Sequence, residues 1–219
     1  MQGYKGWHPK LVEIWTQRCV GRCVINRDMK ICFVFVAKNA SSTVKRLLAP
    51  WEMFRYCNPG DREFIDHCKT FTIVRDPYTR FISAYVEVNK LRKDSPWALS
   101  IAKAMPFIKV RNPVARFRQF IKDIDGKIHD LHLIPQVDYV LDSQVLIDDW
   151  LTFEQLGKQL PKFMADAGYP RVVSHANKST NPGLNKRLHT VLMRDSVAKA
   201  IVTRIYKDDF KLFEEKARA

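Results

Sequence analysis

A chain of 219 residues, 46% hydrophobic and 11% aromatic, suits one domain: it can bury roughly 70% of its unfolded surface, and wholesale disorder is excluded. Lys and Arg number 37 against 23 Asp and Glu, a formal charge of +14 spread along the chain, which favours anionic partners and leaves nucleic acid, a phosphorylated small molecule and an anionic polysaccharide all open. The longest apolar run, 31–37, has seven residues where a membrane-spanning helix needs about twenty, and Lys5, Lys10, Glu13 and Arg18 interrupt any signal-peptide core, so a cytoplasmic protein without stable membrane insertion is expected.

Residues 31–36, ICFVFV, are continuously apolar, β-branched and aromatic, the pattern of a strand buried on both faces of a parallel sheet. Small polar residues follow at 37–43, suited to capping a helix that begins near Val44 and ends before Pro50. A second strand is predicted over 70–74, TFTIV, running into Arg75-Asp76-Pro77, where Asp76 suits an N-cap and Pro77 a first helical position. Phe81, Ala84, Tyr85 and Val88 then keep helical spacing.

Farther on, Phe117, Phe120, Ile121 and Ile124 mark one face of a basic helix whose Arg111, Arg116, Arg118 and Lys122 are candidates for an anionic glycan's groove or simply a solvated face. A third strand is predicted at 144–147, a helix at 154–167, and a helical C-terminal region with Val191, Leu192, Val197, Ile201, Ile205 and Phe213 as core contacts. Two strand–loop–helix units in the first ninety residues indicate an α/β, P-loop-like three-layer fold: a central, mainly parallel sheet flanked by helices, with ligands at the carboxyl ends of the strands. The five cysteines, Cys19, Cys23, Cys32, Cys57 and Cys68, form no CxxC pair. Reduced thiols are expected, and Cys19 with Cys23 lacks the second Cys/His pair of a zinc site.

A buried strand ending in small residues at a helix start aims backbone N–H groups at one point, which makes Lys38, Ser41, Ser42 and Thr43 a candidate phosphate cradle. The loop has no glycine and its Lys precedes the small residues, so an ordinary GxxxxGK[ST] nucleotide loop is disfavoured. Taken singly, a polar helix cap explains this loop equally well.

The pair of segments, VAKNASST at 36–43 and VRDPYTRFISAY at 74–85, resembles the 5′-phosphosulfate and 3′-phosphate motifs of sulfotransferases that use 3′-phosphoadenosine 5′-phosphosulfate (PAPS). Within that group the chain looks most like the Golgi-type carbohydrate sulfotransferases and their bacterial relatives. The likeness continues through RFRQFIKDI, HLIPQ at 132–136, LTFEQL at 151–156 and HANKS at 175–179, covering most of 31–213 and leaving 1–29 as an N-terminal extension of a single 1–219 domain. It implies a PAPS site made of Lys38, Asn39, Ala40, Ser41, Ser42 and Thr43 at the phosphosulfate, Arg75 and Ser83 at the 3′-phosphate, and Lys178 and Ser179 in a closing loop.

Sulfuryl transfer resembles phosphoryl transfer, in which positioning and charge neutralisation dominate. Lys38 suits the leaving oxygen and His132 suits the base that takes the acceptor's proton; His67, His129, Glu87 and Asp130 are the other titratable candidates. Because the leaving phosphate is already a stable anion, no metal is expected. The acceptor is expected to be a hydroxyl, on a carbohydrate, and not nucleic acid. Two other readings stay open: an ATP-dependent small kinase or nucleotide enzyme with an atypical phosphate loop, and a basic nucleic-acid-binding protein, though no RNP, zinc-finger or KH signature supports the latter.

Overall fold

The computed structural model describes residues 21–55, 59–91, 106–125, 131–170 and 182–218. Its contacts divide them into two compact units, one containing 21–55, 59–76, 135–170 and 208–218, the other 77–91, 106–125, 131–134 and 182–207.

The first unit holds the sheet. Its strands are β1 (Arg22–Asn26), β2 (Ile31–Val34), β3 (Glu52–Arg55), β4 (Lys69–Val74) and β5 (Asp149–Thr152), in the order β3-β1-β2-β4-β5. β1 is antiparallel to both neighbours, while β2, β4 and β5 run parallel, so four of the five strands point one way. The helices are α1 (Ser41–Leu47), α2 (Pro59–Ile65), α5 (Gln136–Ser143) and α6 (Leu156–Asp166), with α9 (Lys207–Arg218) entering from Asp208 on.

Side chains alternate across the sheet, as the pleat requires. Val24, Ile31 and Phe33 pack under α1 and α6 with Val44, Leu160 and Phe163. Cys23, Ile25, Cys32 and Val34 pack on the opposite face with Ile65 of α2 and Val145. Both faces are covered, which is why β2 reads as an unbroken apolar run, and the three-layer α/β architecture is the one expected.

The second unit is helical: α3 (Pro77–Leu91), α4 (Pro113–Asp123), α7 (Pro182–Arg194) and α8 (Ser196–Ile205), with 3₁₀ turns at Pro106–Lys109 and Leu131–Leu133. Its centre is aromatic. Tyr85 meets Phe117 and Phe120 at ring distances of 4.9 Å each, and Phe107 meets Phe120 edge-on at 5.0 Å, the tilted geometry aromatic pairs prefer.

Four expectations need correction. The strand expected at 144–147 is a connector, and β5 begins at Asp149. Gln144 turns left-handed after α5, Leu146 is 83% exposed, and Asp148 is committed to accepting from the backbone N–H and hydroxyl of Thr70, 2.8 Å each. Val197, expected in the core, is 64% exposed because α8 buries Ala198 and Val202, one turn apart, and Val197 lies a residue round the helix. The hydroxyls of 41–43 do not cap α1: Ala40 occupies the N-cap without a side-chain bond, and the three residues form the helix's first turn. Residues 22–26, for which no strand is predicted, form β1. Among the described residues no helix is long and apolar enough to cross a membrane, and no group of three or more His, Cys, Asp and Glu is arranged to hold a metal ion.

Candidate active site

Because β2 and β4 are adjacent and parallel, their carboxyl ends open side by side, and the two singled-out loops leave from there. The turn after β2 is unusual for a glycine-free segment: Lys38 and Ala40 have φ of 68° and 59°. Left-handed backbone at non-glycine residues costs about 1–3 kcal/mol each and persists only where its surroundings over-determine it. Here they do.

Asn39, between the two strained residues, is fully buried. Its Nδ2 donates to the Ile73 carbonyl at 2.6 Å and to Gln136 Oε1 at 2.5 Å, while the Lys38 carbonyl accepts from Arg75 Nη1 at 3.0 Å. Beyond the turn, the N–H groups of Thr43 and Val44 both go to the Ala40 carbonyl, at 2.8 and 3.1 Å. The amides of Ser41 and Ser42, in the first turn, have no carbonyl within the helix to reach. Ser41 is half-buried, Ser42 exposed and Thr43 buried.

Arg75 is held at both ends. Its backbone N–H donates to Gln136 Oε1 and its carbonyl accepts from Gln136 Nε2, each at 2.9 Å. Its guanidinium lies 4.0 Å from the centre of the Phe153 ring, just past β5, a cation–π contact that steers a long side chain without neutralising it. Asp76 adds a backbone bond to Glu154 Oε1 at 3.2 Å.

Lys38, Asn39, Ala40, Ser41, Ser42, Thr43 and Arg75 are thus brought together in the sheet-bearing unit. Ser83, half-buried on α3, and His132 belong to the helical unit. Lys178 and Ser179 lie outside the described residues. The His132 turn is tethered within its own unit by Arg80, whose Nη2 donates to the Ile134 carbonyl at 2.6 Å, and by the Tyr206 hydroxyl, which donates to the Leu133 carbonyl at 2.7 Å.

Arg80 is 1% exposed, and a guanidinium taken out of water requires acceptors, of which the Ile134 carbonyl is one. Of the four basic candidates near α4, Arg116 donates to the Val110 and Arg111 carbonyls at 2.5 and 3.3 Å, and Arg118 pairs with Asp195 at 3.1 Å. Arg111 and Lys122 are exposed. His67 precedes β4 and so sits at the strand's amino end, opposite the loops.

Sequence reasoning missed Gln136 and Asp209. Gln136 is fully buried at the start of α5, and its N–H donates to Asp209 Oδ2 at 2.9 Å, with Val137 N–H on Oδ1 at 3.0 Å. The available signal was the last residue of HLIPQ, a segment noticed for its histidine.

A protein-family model, the sulfotransferase family, matches residues 21–214, from the turn before β1 into α9. No curated protein and no solved structure matches the chain.

Proposed function

The chain belongs to the sulfotransferase family, and we propose that it moves a sulfuryl group from PAPS to a hydroxyl acceptor on a carbohydrate, by in-line transfer, as one 1–219 domain working in the cytoplasm. We further place it with the Golgi-type carbohydrate sulfotransferases and their bacterial relatives. The observation that carries the reading is the strained turn at Lys38 and Ala40 lying against Arg75. Strain of this kind gathers at functional sites, and alternating left-handed residues form backbone concavities that bind anions.

The donor set fits such a ligand. The Lys38 ammonium, the Arg75 guanidinium, the Ser41, Ser42 and Thr43 hydroxyls and the turn's N–H groups match phosphate and sulfate oxygens. When bound, PAPS supplies the sulfuryl group and a phosphate that leaves as a stable anion. Residues 39–43 hold the phosphosulfate end and Lys38 neutralises the charge that develops there. Arg75 and Ser83 hold the 3′-phosphate, Lys178 and Ser179 close over it, and His132 accepts the proton of the attacking hydroxyl. No metal takes part.

Melting temperature tests the reading, because a ligand at 100 times its dissociation constant stabilises the fold by about 2.7 kcal/mol. Adenosine 3′,5′-bisphosphate should raise it in the parent chain and raise it less in Lys38→Ala and Arg75→Ala. A rise only with ATP and magnesium, or none with either ligand, overturns it.

A further inference from the structure

The β2–β4 register runs only to Phe33 and Phe71, and above it side chains carry the bridging between the two strands. Thr72 Oγ1 donates to the Val34 carbonyl at 3.0 Å, Asn39 Nδ2 to the Ile73 carbonyl, and the Gln136 amide closes a two-bond ring on the backbone of Arg75. The two loops diverge at this height, so whatever bridges them sets the distance from the Lys38 turn to Arg75.

The network admits one orientation. Arg75 N–H needs an acceptor and its carbonyl needs a donor, which fixes Gln136 with Oε1 toward the one and Nε2 toward the other. Oε1 then also accepts from Asn39, so the Asn39 amide must present Nδ2 to it, leaving Asn39 Oδ1 buried without a partner. An orphaned buried acceptor is costly, and here it is the consequence of directing the Asn39 donors at two fixed acceptors. Asp209, fully buried on α9, in turn fixes Gln136 by accepting from the first two N–H groups of α5.

We infer that Gln136 is a positioning residue: anchored by Asp209, it sets Arg75 against the Lys38 turn through Arg75's backbone and Asn39, and so governs affinity for the 3′-phosphate end of the donor. This rests on the donor-site reading above. Gln136 is fully buried and bonded to Arg75 and Asn39, so its contribution is the spacing of the groups around it; small misplacements of such groups carry large penalties.

Calorimetric titration with adenosine 3′,5′-bisphosphate, well below the melting temperature, reads the effect. Gln136→Met, which fills the space without an amide, should weaken binding about tenfold or more, whereas Phe163→Leu, a core substitution on the buried face of α6, should leave binding within about twofold although it also lowers stability. In an Arg75→Ala background the further loss from Gln136→Met should shrink to less than about threefold, because a residue acting through Arg75 has little left to act on. Should Gln136→Met fail to fold, Gln136→Asn retains an amide one methylene short of Arg75 and carries the same expectation. Unchanged affinity in the Gln136 variants, or equal losses with and without Arg75, overturns the inference and leaves the donor site standing; no binding by the parent chain removes both.

Discussion

Gly21 stands at the entry to β1 with φ +73°, and a Cβ built there would lie 2.6 Å from the carbonyl oxygen of Asp142. Gly168, which closes α6 by donating to the Ala165 carbonyl at 2.9 Å, has φ +86° and open space around the same position. The two glycines separate conformational cost from steric cost. Gly168→Ala should lower unfolding free energy by about 1–2 kcal/mol, the left-handed penalty alone. Gly21→Ala adds a backbone collision that α5 and β1 must absorb, about 1–3 kcal/mol more. Urea unfolding midpoints of the two variants measure the difference, and equal losses would show that the chain relaxes around Asp142 at no expense.

The elements divide by how local their causes are. β2, β4 and the start of α3 were legible because an apolar run, a β-branched run and Asp76-Pro77 each act within a few residues. β1 was not, since Arg22 and Asn26 bracket only Cys23, Val24 and Ile25, which owe their burial to strands on either side. β3 is a short edge strand with Met53 36% exposed, and β5 was displaced by the apolar look of 145–147. The loops that follow β2 and β4 could be located from the sequence for the same local reason. Their latch could not: Asn39 and Gln136 are 97 residues apart, and Gln136 and Asp209 are 73 apart. At α4 the local rule holds in full. Asn112 accepts from the N–H groups of Val114 and Ala115 at 2.9 and 3.1 Å, and Pro113 takes the first helical position. Asn112→Ala should cost about 1 kcal/mol by urea unfolding, and a loss below about 0.3 kcal/mol would mean water replaces this exposed cap.

The excess of 14 positive charges favours anionic partners, while one contribution to stability at alkaline pH comes from thiols buried inside the sheet-bearing unit. Cys23, Cys32 and Cys68 are free thiols buried on one face of the sheet. The Cys32 thiol is pushed well above its ordinary 9.0, first by its hydrogen bond with Cys23 and then by burial. Cys68 is pushed up to about 11, chiefly by burial and further by Cys23, against the opposing pull of Lys30 and Arg27. A thiol whose folded pKa exceeds its unfolded value holds its proton after the unfolded chain has released it. Its stabilisation is therefore complete below 9.0 and is lost as pH rises toward about 11, at no more than about 1.4 kcal/mol per pH unit for each thiol. Lysines and tyrosines titrate in the same range, so the informative quantity is the difference between the parent chain and Cys68→Ala, in which those groups are common. Urea unfolding from pH 8 to 11 should show that difference moving in the variant's favour by up to about 2–3 kcal/mol, with most of the change above pH 9. A difference that stays flat across the range would mean that Cys68 ionises as readily in the folded protein as in the unfolded chain, and that this face of the sheet admits water.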